Sequence, residues 1–108
     1  MSSETVIACN LNAIDPAQRD QHGQKVREVF AAVQEQKELP TGYAFRLPAD
    51  STLLIKTAEF IANERLCCPF FEFSLRVEAN GGPIWLQLAG SEEIKAFLKE
   101  EFASVLNQ

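Results

Sequence analysis

Apolar and polar residues recur along this chain with two different periods, which predict a mixture of helices and strands. Spacings of three and four mark helices, whereas strict alternation marks strands. The predicted order is β-α-β-α-β-β-α. This order is typical of an α+β fold, a two-layer sandwich in which helices pack on one face of a mixed or antiparallel sheet. The whole chain, 1–108, is expected to form one domain.

Three segments have the apolar stripe of an amphipathic helix. The first is predicted over 16–38, with Asp15 as its N-cap and Pro16 at its first position. The second is capped by Asp50 or Ser51 and ends at about Leu66 or Cys68, and the third has Ser91 as its N-cap. The second helix carries two neighbouring lines of side chains. They are Leu53, Thr57, Phe60 and Glu64 on one side, and Leu54, Ala58, Ile61 and Arg65 on the other.

Four segments are predicted to be strands, at residues 5–11, 43–47, 71–78 and 84–89, and the last three have the alternation of strands with one apolar face. The first is apolar on both faces, which is typical of a strand buried on both sides. Asn80-Gly81-Gly82 supplies the positive φ angles of a hairpin turn. On the polar face of the sheet stands Trp85. Trp85 at this position indicates either a contact surface, most simply that of a homodimer, or just one exposed aromatic residue without a role, and the two are about equally favoured.

Charge and segment composition exclude several classes of protein. The net charge is −5 and no cluster of lysine and arginine is present, so binding to nucleic acid or to an anionic membrane is not expected. The N-terminus lacks the pattern of a signal peptide, and no run approaches the roughly 20 apolar residues of a membrane span. A cytoplasmic location with reduced thiols is therefore expected. Three cysteines, an odd number, do not suggest a disulfide framework.

The adjacent cysteines Cys67 and Cys68 are the main candidate for chemistry. Residues three and four apart share a helix face, so Glu64 is predicted to lie beside both. Adjacent helical residues diverge by about 100°, but Pro69 disfavours the helical conformation at the residue before it. We therefore expect an extended Cys68 and two sulfur atoms that converge where the helix ends.

Converging thiolates select soft metals and metalloids. Cys67, Cys68 and Cys9 would supply three sulfur ligands, with Glu64 or His22 as a fourth. The bound cofactor would then be a thiophilic metal or metalloid. No C-x-x-C pair is present, which argues against a zinc knuckle. The alternative is that both cysteines are simply buried apolar residues.

Two further hypotheses concern a thiol enzyme or redox protein and a structural or interaction protein without chemistry. A thiol enzyme or redox protein needs a nearby cation to lower the pKa of its reactive thiol, and Arg65 is the candidate for that cation. The position of both cysteines near a helix C-terminus weakens this hypothesis, because the negative end of the helix dipole disfavours a thiolate. Arg65 alternatively forms a structural ion pair with Glu64, buried or at the surface. His22 is either a surface residue or a weak candidate ligand.

The run Glu64-Arg65-x-Cys67-Cys68-Pro69-Phe70-x-x-Phe73, together with 82–86 and Gly90, resembles a group of small uncharacterised bacterial proteins. The likeness covers about residues 40–102. No established activity belongs to that group. The resemblance therefore implies a self-contained bacterial domain and assigns no catalytic residue.

Overall fold

The computed structural model describes residues 10–102, and within them helices pack on one face of a four-stranded antiparallel sheet. The predicted α+β class is confirmed, and so is the order of elements from the first helix onward, with one strand added. The elements are a 3-10 turn (Leu11–Ala13), α1 (Pro16–Ala31), β1 (Glu35–Leu39), β2 (Gly42–Leu47), α2 (Ser51–Cys67), β3 (Glu72–Val77), β4 (Ile84–Ala89) and α3 (Glu92–Glu101). The strand predicted over 5–11 lies mostly outside the described residues, and its last residue begins the 3-10 turn.

The first helix is shorter than predicted. It ends at Ala31, and the edge strand β1 takes up residues 35–38, which were expected to be helical, together with Leu39. This segment, Glu-Gln-Lys-Glu-Leu, has no apolar alternation that would indicate a strand. Its backbone instead pairs with β2 in a hairpin, with Gln36 opposite Phe45. The prediction was wrong because hydrogen bonding to a neighbouring strand, not the local sequence, determines this conformation.

The sheet has the strand order β1-β2-β4-β3, and its two faces differ in character. Phe45, Leu86 and Leu75 lie side by side across three strands on the inner face. Arg46, Trp85 and Arg76 lie side by side on the outer face. The helices cover the inner face, so its large side chains on the two central strands are almost completely buried. These are Tyr43, Phe45, Leu47, Ile84, Leu86 and Leu88.

Helices α1 and α2 pack against each other over this inner face. Phe30 of α1 makes edge-to-face contacts with Phe45 of the sheet and Phe60 of α2, at ring-centroid distances of 5.1 and 5.7 Å. Full burial of each such ring stabilises the fold by about 1.5–3 kcal/mol. The aromatic contact fixes the rotation of both helices about their axes. It thereby determines which polar residues meet between them.

The two ends of α2 match their predictions. Asp50 is the N-cap, and its carboxylate accepts a hydrogen bond from the backbone N–H of Leu53 at 2.8 Å. At the other end, Cys68 leaves the helix with φ −128°, as expected for the residue before Pro69. Its backbone N–H still donates to the Glu64 carbonyl at 2.7 Å. The helix therefore ends between the two cysteines.

Of the two lines predicted on α2, the one through Phe60 and Glu64 faces the core. Leu53, Thr57, Phe60, Glu64 and Cys67 are buried. Arg65 is exposed, so the predicted alternative of a buried Arg65 is wrong. The packing of Phe60 against α1 leaves Arg65 on the solvent side of the helix, whereas Leu54 and Ile61 of the same line are partly buried against the core.

Candidate metal centre

His22 lies between the two helices, although the sequence around it is polar. Only 3% of its surface is exposed, so the prediction that it is a surface residue is wrong. Its ring stacks on Phe60, with a centroid distance of 6.0 Å and an interplanar angle of 9°. A signal for this position was present in the sequence. The stripe through Val29 and Val26, continued backwards by one turn, reaches His22.

Glu64 joins the imidazole to the cysteines. The carboxylate is 7% exposed, and its Oε1 lies 2.9 Å from His22 Nε2. The same oxygen accepts the hydrogen bond from the Cys67 thiol, with a sulfur–oxygen distance of 3.4 Å. A buried carboxylate requires such partners, because an uncompensated buried charge is unfavourable. The pairing of Glu64 with Cys67 follows directly from their spacing of three on α2.

The two adjacent sulfur atoms converge where α2 ends. Cys67 Sγ and Cys68 Sγ are 3.4 Å apart, and both residues are buried. Cys67 is a free thiol, whereas Cys68 takes part in a disulfide bond. This corrects the expectation that the thiols are reduced. Cys68 can therefore act as a thiolate ligand only after that bond is reduced.

The environment of Cys67 favours the protonated thiol. Burial raises its pKa from 9.0 to about 12, and the charge and hydrogen bond of Glu64 act in the same direction. A nucleophilic cysteine requires the opposite shift. A thiophilic metal ion would reverse the preference, because it stabilises the thiolate and attracts the Glu64 carboxylate.

His22, Glu64 and Cys67 offer one nitrogen, one oxygen and one sulfur atom, and these three atoms lie within 4.8 Å of one another. For comparison, zinc–ligand bonds of about 2.0–2.3 Å place tetrahedral ligand atoms about 3.3–3.8 Å apart. Nitrogen, oxygen and sulfur are all ligand types that zinc accepts. The three buried donors are therefore close to a coordinating arrangement, which small side-chain movements would complete.

One polar atom in the centre has no partner. His22 Nδ1 is buried and has no hydrogen-bond partner among residues 10–102. Leaving a buried polar atom unpaired costs about 1–3 kcal/mol. The nitrogen that faces Glu64 is Nε2, so a metal ion bound there would leave Nδ1 unpaired, and this atom does not by itself point to a metal.

The other predicted site residues lie elsewhere. Arg65 points away from the centre on the exposed side of α2. Cys9 lies outside the described residues. The backbone N–H of Asn10 donates to the Cys67 carbonyl at 2.8 Å, which anchors the start of the described chain at the end of α2.

Comparison with known proteins finds no matching family model and no significant similarity to a curated protein or a solved structure. The resemblance to small bacterial proteins stays a prediction. Within residues 10–102, the structure has no helix that is both long and apolar enough to cross a lipid bilayer. Inferences about function therefore depend on the geometry of the centre.

Proposed function

We propose that this protein is a small cytoplasmic binding module for a thiophilic metal ion. The ion would bind His22, Glu64 and Cys67, with Cys68 as a fourth ligand after reduction. The observation that carries the proposal is the convergence of three buried donor atoms, from two different helices, within 4.8 Å. Neither helix could form this centre alone.

The types of donor support a zinc-like divalent ion ahead of a metalloid. An all-sulfur site suits a metalloid, whereas a mixed set of nitrogen, oxygen and sulfur is typical of zinc. Within residues 10–102, Cys67 is the free thiol, and the oxygen of Glu64 and the nitrogen of His22 are its neighbours. One thiolate and one carboxylate together would neutralise a divalent ion.

Titration of the chelator-treated protein with Co(II) tests the proposal, because cobalt replaces zinc and reports its ligands by colour. The protein is first reduced with a phosphine, which adds no competing thiol. Wild type is expected to show a sulfur-to-cobalt charge-transfer band and the intense visible bands of tetrahedral cobalt. Zn(II) should displace the cobalt. Parallel titrations with Cu(I), Hg(II) and As(III) then rank the softer ions.

Three variants locate the bound ion. Cys67→Ser should weaken the charge-transfer band, and the double variant Cys67→Ser/Cys68→Ser should abolish it. His22→Gln should weaken binding by more than about 10–100-fold, because that is the range for a group that only supports a ligand and His22 is itself a proposed ligand. Arg65→Gln is the matched control, since it changes an exposed residue next to Glu64. Equal binding by wild type and the double variant Cys67→Ser/Cys68→Ser would refute the proposal.

A redox function by thiol–disulfide exchange is the second candidate, because the free thiol of Cys67 lies 3.4 Å from the disulfide sulfur of Cys68. The raised pKa of Cys67 argues against it, since the thiolate is the attacking species. Alkylation distinguishes the two functions. If Cys67 is alkylated near neutral pH much faster than an ordinary free thiol, the result favours exchange. Slow alkylation would reject it.

A third candidate is an interaction protein whose buried cysteines only fill space. Cys67 is 2% exposed and Cys68 is completely buried, as this hypothesis requires. It predicts that Cys67→Ala lowers thermal stability without changing metal binding. It also predicts that Trp85→Ala weakens any self-association, which sedimentation velocity would measure.

A further inference from the structure

A second feature lies on the opposite side of the molecule, on the outer face of the sheet. A cavity of about 220 Å³ opens there. We call it the outer groove and define it by the residues that line it, which are Lys37, Leu39, Ala44, Arg76, Glu78, Trp85 and Gln87. None of these residues belongs to the metal centre.

The register of the sheet creates this groove. Ala44 lies opposite Lys37 on one side and Gln87 on the other. Its small side chain leaves a depression between the longer side chains of the neighbouring strands. In the next row, Trp85 stands opposite Arg76. The outer groove is therefore a fixed property of strand pairing in the sheet, not of a loop.

The charges of the outer groove are only partly paired. Lys37 Nζ lies 4.8 Å from the centroid of the Trp85 ring, and Glu78 accepts a hydrogen bond from the indole N–H at 2.7 Å. Among residues 10–102, no carboxylate lies within ion-pair distance of Lys37 or Arg76. Two cations and one carboxylate leave a single positive charge, in a protein whose net charge is −5. Such a local excess favours a monoanion.

We propose that the outer groove binds a small aromatic monocarboxylate. A dry cavity of about 150 Å³ holds benzene, so 220 Å³ accommodates one ring with a carboxylate. The ring would pack against the Trp85 indole. The carboxylate would pair with the guanidinium of Arg76, whose fork suits two parallel hydrogen bonds, and with Lys37. The Glu78 carboxylate disfavours more highly charged anions such as phosphate.

Trp85 is the only tryptophan of the chain, so its fluorescence reports on this groove alone. The experiment titrates the protein with benzoate, and with benzamide as an uncharged molecule of the same shape. Benzoate is expected to change the emission saturably. Benzamide should bind at least about tenfold more weakly, because it lacks the charge-assisted hydrogen bonds.

Matched variants identify the cations that bind the carboxylate. Arg76→Gln and Lys37→Gln should each weaken benzoate binding about tenfold, whereas Arg65→Gln on α2 should leave it unchanged. The two groove residues are exposed, so these variants are expected to fold, and circular dichroism checks this. Cys67→Ser should also bind benzoate normally. The result is thus independent of whether the protein binds a metal.

Several results would overturn the proposal. Equal affinity for benzoate and benzamide would remove the role of charge, and equal affinity for inorganic phosphate would indicate a general anion site. Benzoate binding unaffected by Arg76→Gln would place the ligand elsewhere. If the Trp85 emission changes with protein concentration but not with benzoate, the outer groove contacts a second copy of the chain and not a small ligand.

Discussion

At the scale of single residues, Glu64 determines the chemistry of the metal centre. Its Oε1 contacts both His22 and Cys67, so one carboxylate oxygen connects the two helices. In the structure this oxygen accepts the hydrogen bond of the Cys67 thiol, which helps to keep the Cys67 proton in place. In the proposed metal-bound protein, the same oxygen would be a ligand. The thiol would lose its proton on binding, which is general for cysteine ligands.

The raised pKa of Cys67 predicts a loss of stability in alkaline solution. Its pKa is about 12 in the folded protein against 9.0 ordinarily, so over this interval the unfolded chain loses a proton that the folded protein keeps. Below pH 9 the thiol is protonated in both states and has no effect. From pH 9 to 12, the free energy of unfolding should fall by up to about 1.4 kcal/mol per pH unit.

Denaturant unfolding at several pH values, with a metal chelator present, measures this slope. Cys67→Ala lacks the titrating thiol, so the difference between the two proteins isolates its contribution from those of lysine and tyrosine. Glu64→Gln should shift the loss to lower pH, because it removes a charge that raises the thiol pKa. Parallel curves for wild type and Cys67→Ala would show that burial does not perturb this thiol.

At the scale of elements, close packing holds the strands in register and the two helices in contact. Gly42 begins β2 and lies opposite Ala89 of β4. A Cβ atom at this position would collide with the backbone carbonyl of Leu88, and backbone cannot move aside as a side chain can. Glycine is thus required here by the approach of two strands and not by an unusual φ angle.

A matched pair of glycine substitutions tests this difference. Gly42→Ala should destabilise the protein by about 1–3 kcal/mol, the usual range for overpacking. Gly23→Ala, on α1, places its Cβ only 3.6 Å from the flexible end of Arg27. It should stabilise the protein by about 0.5–1 kcal/mol, because alanine favours the helix. Thermal unfolding of both variants provides the measurement, and a stabilising Gly42→Ala would contradict the proposed collision.

At the scale of the whole molecule, two candidate sites lie on opposite sides of one sheet. The metal centre is in the helical layer, and the outer groove is on the uncovered face. The metal centre joins α1 to α2, so occupation of it should stabilise the complete fold. The outer groove lies on strands that are already paired, so its occupation should affect stability less.

Metal binding is therefore expected to raise the melting temperature. A ligand at 100 times its dissociation constant stabilises the native state by about 2.7 kcal/mol, which corresponds to about 10 °C or more for a domain of this size. Scanning calorimetry with and without Zn(II) measures the shift. It should be larger in the phosphine-reduced protein, in which Cys68 becomes available. Identical shifts in the reduced and unreduced proteins would exclude Cys68 as a ligand.

Several features followed from the sequence because local physics determines them. The bounds of α2 follow from Asp50, from the apolar spacing and from Pro69, each of which acts within a few residues. The extended conformation of Cys68 and the contact of Glu64 with Cys67 have the same local origin. The α+β class follows from the two periods of apolar residues, since each period buries one face of an element.

Other features depended on contacts between residues far apart in the chain. Strand β1 is polar, and it forms because β2 offers it hydrogen-bonding partners. His22 and Glu64 are 42 residues apart and meet only because Phe30 and Phe60 fix how α1 rests on α2. The outer groove likewise requires the register of three strands. Local sequence therefore determined the elements other than β1 and half of the metal centre. The packing of α1 against α2 decided that an isolated polar histidine completes it.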